Sequence, residues 1–535
     1  MSSPITPEYP DKLDAAVLKV AGVVVLGAIM SILDITVVNV ALPTFQNVFG
    51  TRDQPVAYST VAWTVTAYTL SLATVIPLTG WAADRFGTKR LYMTAVFLFV
   101  LGSALCSTAW DIHVLIGFRV LQGLGGGMLM PLGMTIMTRA AGPNRMGRLM
   151  AVLGVPMLLG PIMGPILGGW LIQIASWHWI FLINVPIGLI ALVYAWRVLE
   201  KDDPEPSESF DFLGMLLMSP GLALFLFGVS SIPEEGTATA PRVWACMLAG
   251  AALMAAFVRH SFRPRHPLLD LRLFRNRQLT VSVLTMFLFA GAFFGGLLLV
   301  PTYFQEVRGE STLNAGLLMA PQGIGAMLTM PIAGALADRI PIGRITPVGI
   351  VVILVGLFGF TQIGADTPLP VIIGMLFVMG LGMGATMMPL FTAALKTLRH
   401  HEAARGSTIL NITQQVASSC GVAVMSVLLT NHLNSSPVIP GSTHVPGLGS
   451  EGLSRARAAI LAQTEPDKFG PLAHAMHLGT QVVQRGLDDA ASAFAHTYWV
   501  AWALVALTLV PALLLPRRRQ RAESDDKTSS PAMMH

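Results

Sequence analysis

The chain has 535 residues, 53% of them apolar and only 12% charged, with a formal net charge of +5 and a mean hydropathy of +0.64. An ordinary soluble domain has about 25% charged residues, so this composition excludes a disordered protein, a coiled coil and a typical cytosolic enzyme of this length. The three cysteines all lie in apolar stretches and predict no disulfide framework.

Fourteen apolar segments follow one another along the chain, each about long enough to cross the ~30 Å hydrocarbon core of a bilayer as a helix. They cover residues 17–42, 57–80, 91–110, 113–138, 149–172, 178–196, 212–232, 243–258, 279–304, 314–337, 345–364, 369–395, 407–431 and 494–515. Alternating ten-residue strands are absent from the sequence, which excludes a membrane barrel. The sequence therefore predicts an all-α polytopic membrane protein with fourteen transmembrane helices.

The positions of lysine and arginine indicate the orientation of these helices in the membrane, because both residues are enriched in the cytoplasmic loops of membrane proteins. If the N-terminus is inside, the basic clusters at 85–90, 139–148, 259–277 and 517–521 all become cytoplasmic. The short loops of the other side hold only a few arginines. An even number of helices then returns the C-terminus to the cytoplasm, so both termini are predicted there.

Two short motifs recur in the same order. Gly80–Arg85 returns 254 residues later as Gly334–Arg339, and Met130–Leu132 returns 258 residues later. Two nearly equal offsets indicate duplicated six-helix bundles separated by two inserted helices. The predicted domains are an N-terminal bundle (1–200), inserted helices with a basic loop (201–270), a C-terminal bundle (271–515) that includes a long outer loop (432–493), and a basic tail (516–535).

Four stretches resemble signatures of the fourteen-helix drug:proton antiporter family of the major facilitator superfamily, and the likeness spans nearly the whole chain. They are LDITVVNVALP at 33–43, GWAADRFGTKR at 80–90, RVLQGLGGG at 119–127 and GPIMGPILGG at 160–169. The second stretch departs from the superfamily pattern at Ala82, where leucine is usual, and at Thr88, where arginine is usual. The resemblance implies the major facilitator fold, with a substrate site between the bundles near the bilayer midplane.

The fourth stretch is similar to the motif associated with exporters. Its candidate residues are Gly160, Gly164, Pro165, Gly168 and Gly169. The glycine spacing allows close helix contact, and the prolines bend the helix. Any crowded membrane bundle can contain such packing, so the export direction rests on the resemblance.

Asp34 in the first segment and Arg119 in the fourth lie at membrane depth. A lone charge there costs about 2.5–3.5 kcal/mol on insertion scales, so we expect the two residues to pair or to face water. One interpretation is an ion pair that only fastens two helices. We favour a proton-coupling site, because ionisable residues inside a membrane are usually functional and the resemblance gives the arginine a role in coupling.

The repeated hexapeptide predicts a cytoplasmic gate. Its candidate residues are Gly80, Asp84, Arg85, Gly87, Lys89, Asp338 and Arg339. We expect the glycines to allow close backbone contact, the basic residues to supply local partners, and Asp84 to point at a helix N-terminus near Arg405. Such contacts would latch the two bundles together. The alternative is a solvated loop that serves topology alone.

Polar and aromatic residues at membrane depth are candidates for a substrate cavity. They are Trp63, Tyr68, Gln122, Gln322, Gln414 and Gln415. The 28 methionines suit a promiscuous apolar pocket, although methionine at helical spacing is more often packed or lipid-facing. Glu306 is a candidate second proton site, or else an ordinary interfacial carboxylate.

The sequence thus favours a proton-coupled exporter of amphipathic small molecules or drugs in a bacterial inner membrane, in contact with lipids and not with nucleic acid. A dedicated exporter of a lipid, siderophore or cell-envelope intermediate is the alternative. No Gly-Lys dipeptide occurs, which excludes a phosphate-binding loop, and no metalloprotease motif is present. We therefore expect neither enzyme activity nor a metal or cofactor; the proton gradient is the energy source. The sequence leaves open whether a protein partner exists.

Overall fold

The fold is known from a computed structural model. It describes residues 14–50, 56, 58–141, 145–201, 210–235, 240–264, 266–396, 398, 402–434 and 480–517. Most of the predicted outer loop and nearly all of the predicted basic tail lie outside these residues.

Sixteen α-helices make up almost all of the described chain, so the predicted all-α class is confirmed. They are α1 (Ala15–Val48), α2 (Tyr58–Phe86), α3 (Thr88–Cys106), α4 (Ile112–Ala141), α5 (Met146–Ile174), α6 (Trp179–Leu182), α7 (Asn184–Val198), α8 (Phe212–Glu235), α9 (Pro241–Ser261), α10 (Arg277–Glu306), α11 (Thr312–Leu318), α12 (Ala320–Arg339), α13 (Ile342–Phe360), α14 (Leu369–Leu395), α15 (Ala403–Asn434) and α16 (Thr480–Leu513). A 3₁₀ turn at Leu271–Arg275 precedes α10.

The helices follow the predicted segments. Thirteen spans are long and apolar enough to cross a membrane, with α6 and α7 forming one of them and α11 and α12 another. Helix α5, with 29 residues, covers the remaining predicted segment. Several helices outrun their apolar stretch: α1 continues past Pro43 to Val48, where the Asn47 side-chain amide donates to the Pro43 carbonyl. The helix thus continues beyond the predicted apolar segment, which hydropathy alone does not indicate.

Local sequence fixes the ends of several helices. The Asp14 carboxylate accepts from the Val17 N–H and caps α1, and the Asn276 side chain caps α10 by accepting from Gln278 and Leu279. Gly87 joins α2 to α3 with φ of 91°, a conformation that favours glycine. This residue lets the chain reverse within a single position.

The first seven helices and the last seven pack in matching pairs. In the N half (α1–α7), α1 packs on α5 and α7, α4 on α2 and α3, and α3 on α7. In the C half (α10–α16), α10 packs on α15 and α16, α14 on α12 and α13, and α13 on α16. This agrees with the sequence repeat; the domain boundaries themselves stay predictions.

The inserted helices α8 and α9 pack on each other, and α8 also contacts α2 of the N half and α15 of the C half. We call the end where α2 ends and α5 begins the inner end, because it is predicted to be cytoplasmic, and the opposite end the outer end. Helix α8 therefore lies along one seam between the halves.

Candidate functional site

Asp34 and Arg119 form an ion pair in the core of the N half. Arg119 Nη1 donates to Asp34 Oδ2 at 2.5 Å, and the two residues are 0% and 1% exposed, respectively. Arg119 Nε donates to the Thr64 carbonyl at 3.0 Å and Nη1 also to Gln122 Oε1 at 2.9 Å. Arg119 lies seven residues from the outer start of α4, about 10 Å along its axis. The pair therefore lies closer to the outer end of α4 than to its inner end.

Two amides complete the surroundings of the carboxylate. Gln122 Nε2 donates to Asp34 Oδ1 at 2.8 Å, and Asn184 Nδ2 donates to the same oxygen at 3.3 Å. Asn184 also donates to Ser103 Oγ at 3.1 Å, which ties α7 to α3. Asp34 thus accepts three hydrogen bonds, as a buried carboxylate requires.

The guanidinium lies over an aromatic face. Its carbon is 4.1 Å from the centre of the Tyr68 ring and 5.8 Å from that of Phe181. Such cation–π contacts stabilise a desolvated arginine by up to about 2 kcal/mol. Arg119 Nη2 makes no hydrogen bond to any described residue. The pair is therefore held firmly on the carboxylate side and retains one free donor on the arginine.

A small recess reaches the carboxylate between α1, α5 and α7. Asp34 and Asn184 line it, and its other lining side chains are apolar: Leu33, Val37, Leu167, Leu171, Ile180, Ile183 and Ile187. The carboxylate of the pair therefore borders a narrow, mostly apolar recess.

The glycines of the exporter-type motif pack α5 onto the stretch of α1 that carries Asp34. A Cβ at Gly160 or Gly164 would collide with Ile32 or Thr36, respectively, and one at Gly168 would lie 3.2 Å from Val37. The Thr36 hydroxyl also donates to the Gly160 carbonyl at 3.1 Å. Gly169 has open space beside it, and the Pro165 side chain lies outside the described residues.

Asp338 of the C half caps a helix of the N half. Its Oδ1 accepts from the Gly147 N–H at 2.9 Å and its Oδ2 from the Arg148 N–H at 3.2 Å, both at the start of α5. Lys396 Nζ donates to Asp338 Oδ1 at 2.9 Å. A carboxylate at a helix N-terminus is stabilised by the helix dipole and the free N–H groups. The repeated hexapeptide therefore joins the halves at the inner end.

Asp84 makes the corresponding contact more loosely. Its Oδ1 lies 3.3 Å from Arg139 Nη2 of the N half, and its Oδ2 lies 4.0 Å from Arg405 Nε, near the start of α15. A hydrogen bond of 2.9 Å between Thr135 Oγ1 of α4 and Ser407 Oγ of α15 closes the same interface. Asp84 thus lies near a side chain at the start of α15, and its role in a gate stays a prediction.

The glycines of the two hexapeptides lie at the interface between the halves, whereas the basic gate candidates lie in other surroundings. A Cβ at Gly80 would lie 3.1 Å from Thr408 Oγ1, and one at Gly334 would lie 2.5 Å from the Gly147 carbonyl oxygen, so both glycines permit close contact between the halves. Lys89 Nζ donates to the Trp196 and Leu199 carbonyls at 2.7 and 2.5 Å and so caps the end of α7. Two basic residues complete the set: Arg85 is half-buried, and Arg339 is exposed without an ion pair to the described residues.

The cavity candidates do not share one site. Tyr68 and Gln122 are fully buried against the charge pair, whereas Trp63 packs on Phe227 of α8 with ring centres 5.5 Å apart. Gln322 is buried beside α14, and its Nε2 has no partner among the described residues. Two further glutamines lie on α15: Gln414 lines a pocket with α10 and α14, and Gln415 is half-buried outside that lining.

Glu306 ends α10 at the outer end, half-buried and without a hydrogen bond to the described residues. Its role as a second proton site stays a prediction.

Comparison with known proteins gives the family. A family model described as the Major Facilitator Superfamily matches residues 24–422. The chain belongs to the major facilitator superfamily. This transporter is 48% identical over 528 residues to the multidrug resistance protein B homolog of Mycobacterium tuberculosis, covering 96% of the chain and 95% of that protein. It is 29% identical over 476 residues to the multidrug export protein EmrB of Haemophilus influenzae, covering 85% and 91%.

The resemblance to the fourteen-helix drug:proton antiporter family is thereby confirmed, and the protein is a multi-pass membrane transporter and not an enzyme. Two solved structures share its fold. The human organic anion transporter MFSD10 has a TM-score of 0.58 at 16% identity, covering 92% of this chain and 100% of that one. The proton:xylose symporter XylE has a TM-score of 0.56 at 14% identity, covering 93% and 95%.

Three contact residues went unrecognised in the sequence: Asn184, Arg139 and Lys396. Asn184 is polar within an apolar segment, and that depth alone could have identified it. Arg139 and Lys396 lie at the ends of α4 and α14, the second helix after each repeated hexapeptide. Both positions are at the inner end, which was the available indication.

Proposed function

We propose that this transporter is a proton-coupled exporter of amphipathic, drug-like small molecules that works by alternating access in a bacterial inner membrane, with both termini in the cytoplasm. The observation that carries the proposal is the buried Asp34–Arg119 pair, in which the carboxylate accepts three hydrogen bonds and borders a narrow, mostly apolar recess. Buried charge is costly and needs a reason to persist in a membrane helix.

Asp34 is the group that would carry the proton. When ionised it is held by Arg119 and the two amides; when protonated it loses the ionic attraction, and α1 becomes free to move against α4. Because α5 packs its glycines on the same stretch of α1, a change at Asp34 would be transmitted along α5. The inner start of α5 bears the N–H groups that Asp338 binds. The proton site and the latch are thus connected by one helix.

The proton gradient suffices as an energy source. One elementary charge that crosses 100 mV is worth about 2.3 kcal/mol, and each 1.4 kcal/mol corresponds to a tenfold concentration ratio. With one buried carboxylate in the described membrane core, neutral, zwitterionic or monovalent cargo fits better than multivalent cations. Two relatives are named for multidrug resistance and multidrug export, which supports drug-like cargo.

The test uses inverted membrane vesicles and a panel of uncharged and monovalent aromatic dyes. We expect uptake only when the vesicle interior is acidic, with collapse on addition of an uncoupler. Asp34→Asn should reduce this uptake by about 100-fold or more, equivalent to ~2.7 kcal/mol. The matched control is Asp111→Asn, which changes an exposed carboxylate at the outer start of α4 and should leave uptake unchanged. Uptake that persists in Asp34→Asn, or that ignores the gradient, contradicts the proposal.

A further inference from the structure

Five exposed arginines lie around the linker that joins α9 to α10 at the inner end. We call them the arginine patch: Arg259, Arg263, Arg272, Arg275 and Arg277. None of them forms an ion pair with a described residue. Asp270 is the only acidic residue of the sequence between 259 and 277. The linker therefore carries a concentrated positive charge that its own residues do not neutralise.

Three contacts hold this linker against the inserted helices. Just before α8, Asp211 Oδ1 lies 2.7 Å from His260 Nε2 near the end of α9, and Asp211 Oδ2 accepts from the Leu268 N–H at 3.2 Å. Arg272 Nη2 donates to the Phe262 carbonyl at 3.2 Å, which ties the 3₁₀ turn to the end of α9. The Leu268 side chain is buried. The arginine patch is thus mounted on a backbone that is fastened to both inserted helices.

The 3₁₀ turn separates its apolar side chains from its basic ones. Side chains three residues apart lie above one another in a 3₁₀ helix. Leu271 and Phe274 form one such pair and are half-buried, whereas Arg272 and Arg275 form another and are exposed. The turn therefore packs on the protein with one face and presents two guanidinium groups on another.

The lipid-facing surface of the inserted helices ends at the arginine patch. Val258 and Phe262, near the end of α9, are exposed, and so is Phe212 at the start of α8. Exposed apolar side chains of a transmembrane helix face the hydrocarbon, and basic residues that follow them lie at the level of the headgroups. Arg259 and Arg263 directly follow the two exposed residues of α9. The patch is therefore at the depth of the lipid phosphates.

We propose that the arginine patch binds the headgroup of an anionic phospholipid from the leaflet at the inner end. A guanidinium group donates two parallel hydrogen bonds to phosphate oxygens. Each basic residue near a membrane surface also adds to the attraction of anionic lipids. A zwitterionic headgroup carries its own cation, which offsets the attraction of its phosphate to the arginines. A headgroup with two phosphates, as in cardiolipin, fits a patch of five arginines best.

Native mass spectrometry of the purified full-length transporter, titrated in detergent with cardiolipin or phosphatidylcholine, measures the binding. We expect the wild type to bind cardiolipin about tenfold more tightly than phosphatidylcholine. The double variant Arg259→Gln, Arg263→Gln should weaken cardiolipin binding by about 30-fold. The variant with lysine at both positions keeps the charge and should lose less than about threefold, which separates loss of the site from misfolding.

The matched control removes the same charge elsewhere at the inner end. Arg344 at the start of α13 and Arg517 after α16 are also exposed and lie outside the patch. Arg344→Gln with Arg517→Gln should change cardiolipin affinity by less than about twofold, because headgroup binding needs contact with the arginines themselves. An equal loss in both double variants would show that binding follows net charge, and it would overturn the proposal.

The acidic loop before α8 is a different occupant for the same patch. Its four carboxylates, at 202, 203, 205 and 208, lie outside the described residues. If they neutralised the patch, replacing all four by amides would raise cardiolipin affinity by about tenfold or more; we expect less than about threefold. The larger gain would contradict the lipid as the occupant.

A soluble phosphate completes the test. Glycerol 3-phosphate should not displace cardiolipin, because it lacks the acyl chains that place the lipid headgroup beside the exposed apolar surface. Displacement by this compound, or equal binding of cardiolipin and phosphatidylcholine by the wild type, would show that the patch is not a site for anionic phospholipid. Neither result bears on the exporter function, which the vesicle assay tests separately.

Discussion

The two halves share one packing scheme and differ in what they bury. The N half encloses a carboxylate, a guanidinium and two amides, whereas the C half contains no fully buried charged residue among those described. The same packing scheme thus encloses a charged core in one half and an uncharged core in the other. Duplicated bundles can therefore differ in their tasks, and the N half is the one proposed to handle the proton.

The largest expected effect comes from breaking the charged core. Arg119→Gln leaves the Asp34 carboxylate without its cation and should lower the free energy of unfolding by about 3–5 kcal/mol. Arg242→Gln, at an exposed arginine stacked on Phe227, should change it by less than about 0.5 kcal/mol. Thermal unfolding of both variants in detergent gives the comparison. Equal stability of the Arg119→Gln and Arg242→Gln variants would mean that the ion pair does not stabilise the N half.

The next effect concerns the two repeated carboxylates at the inner end. Asp338→Asn removes charge-assisted hydrogen bonds worth about 1.5–3 kcal/mol and should expose the inner interface about tenfold more often. Asp84→Asn should do so only about threefold, because its ion pairs measure 3.3 and 4.0 Å.

The rate at which a membrane-impermeant maleimide labels Ser407→Cys from the inner side measures this exposure, in a background without the native cysteines. Turnover should slow in the same order. An unchanged labelling rate in Asp338→Asn would contradict the proposal that Asp338 holds the two halves together at the inner end.

A smaller effect is expected at Asn184, which we take as a positioning residue for Asp34. Asn184→Ala removes one of three donors to the carboxylate and should slow proton-driven uptake about threefold, or ~0.7 kcal/mol, while equilibrium binding of the dye stays unchanged. Asn47→Ala, at an exposed amide near the outer end of α1, is the matched control. A loss of dye affinity instead of rate would place Asn184 in the cargo site.

The smallest effect is expected at the Asp14–Arg145 pair of the N half, whose carboxylate is exposed while that of Asp34 is buried. The pKa of Asp14 is lowered below its usual 3.8 by the hydrogen bond from the Val17 N–H and by Arg145. A lowered pKa in the folded state means that the contribution to stability is present above 3.8 and disappears as the pH falls through the folded-state pKa. Asp14→Asn should therefore lower Tm slightly at neutral pH and not in strong acid. A difference that grows in acid would contradict this assignment.

The sequence predicts the helices well because a bilayer demands long apolar runs, and it predicts the Asp34–Arg119 pair because a lone buried charge is so costly. It does not predict the partners of Asp338. Two of them are backbone N–H groups of Gly147 and Arg148, which every residue except proline carries. Gln122 was assigned to the cavity although it lies three residues from Arg119 on one helix, a spacing that places both side chains on the same face.

The most direct test measures the proton itself. Purified transporter in weakly buffered detergent solution is mixed with a dye that the vesicles accumulate, and a pH indicator follows the release of protons. If binding of the cargo and protonation of Asp34 exclude each other, the wild type will release protons in proportion to the dye bound, and Asp34→Asn will bind dye without any release. Equal release from both proteins would show that another group carries the proton and would contradict the account.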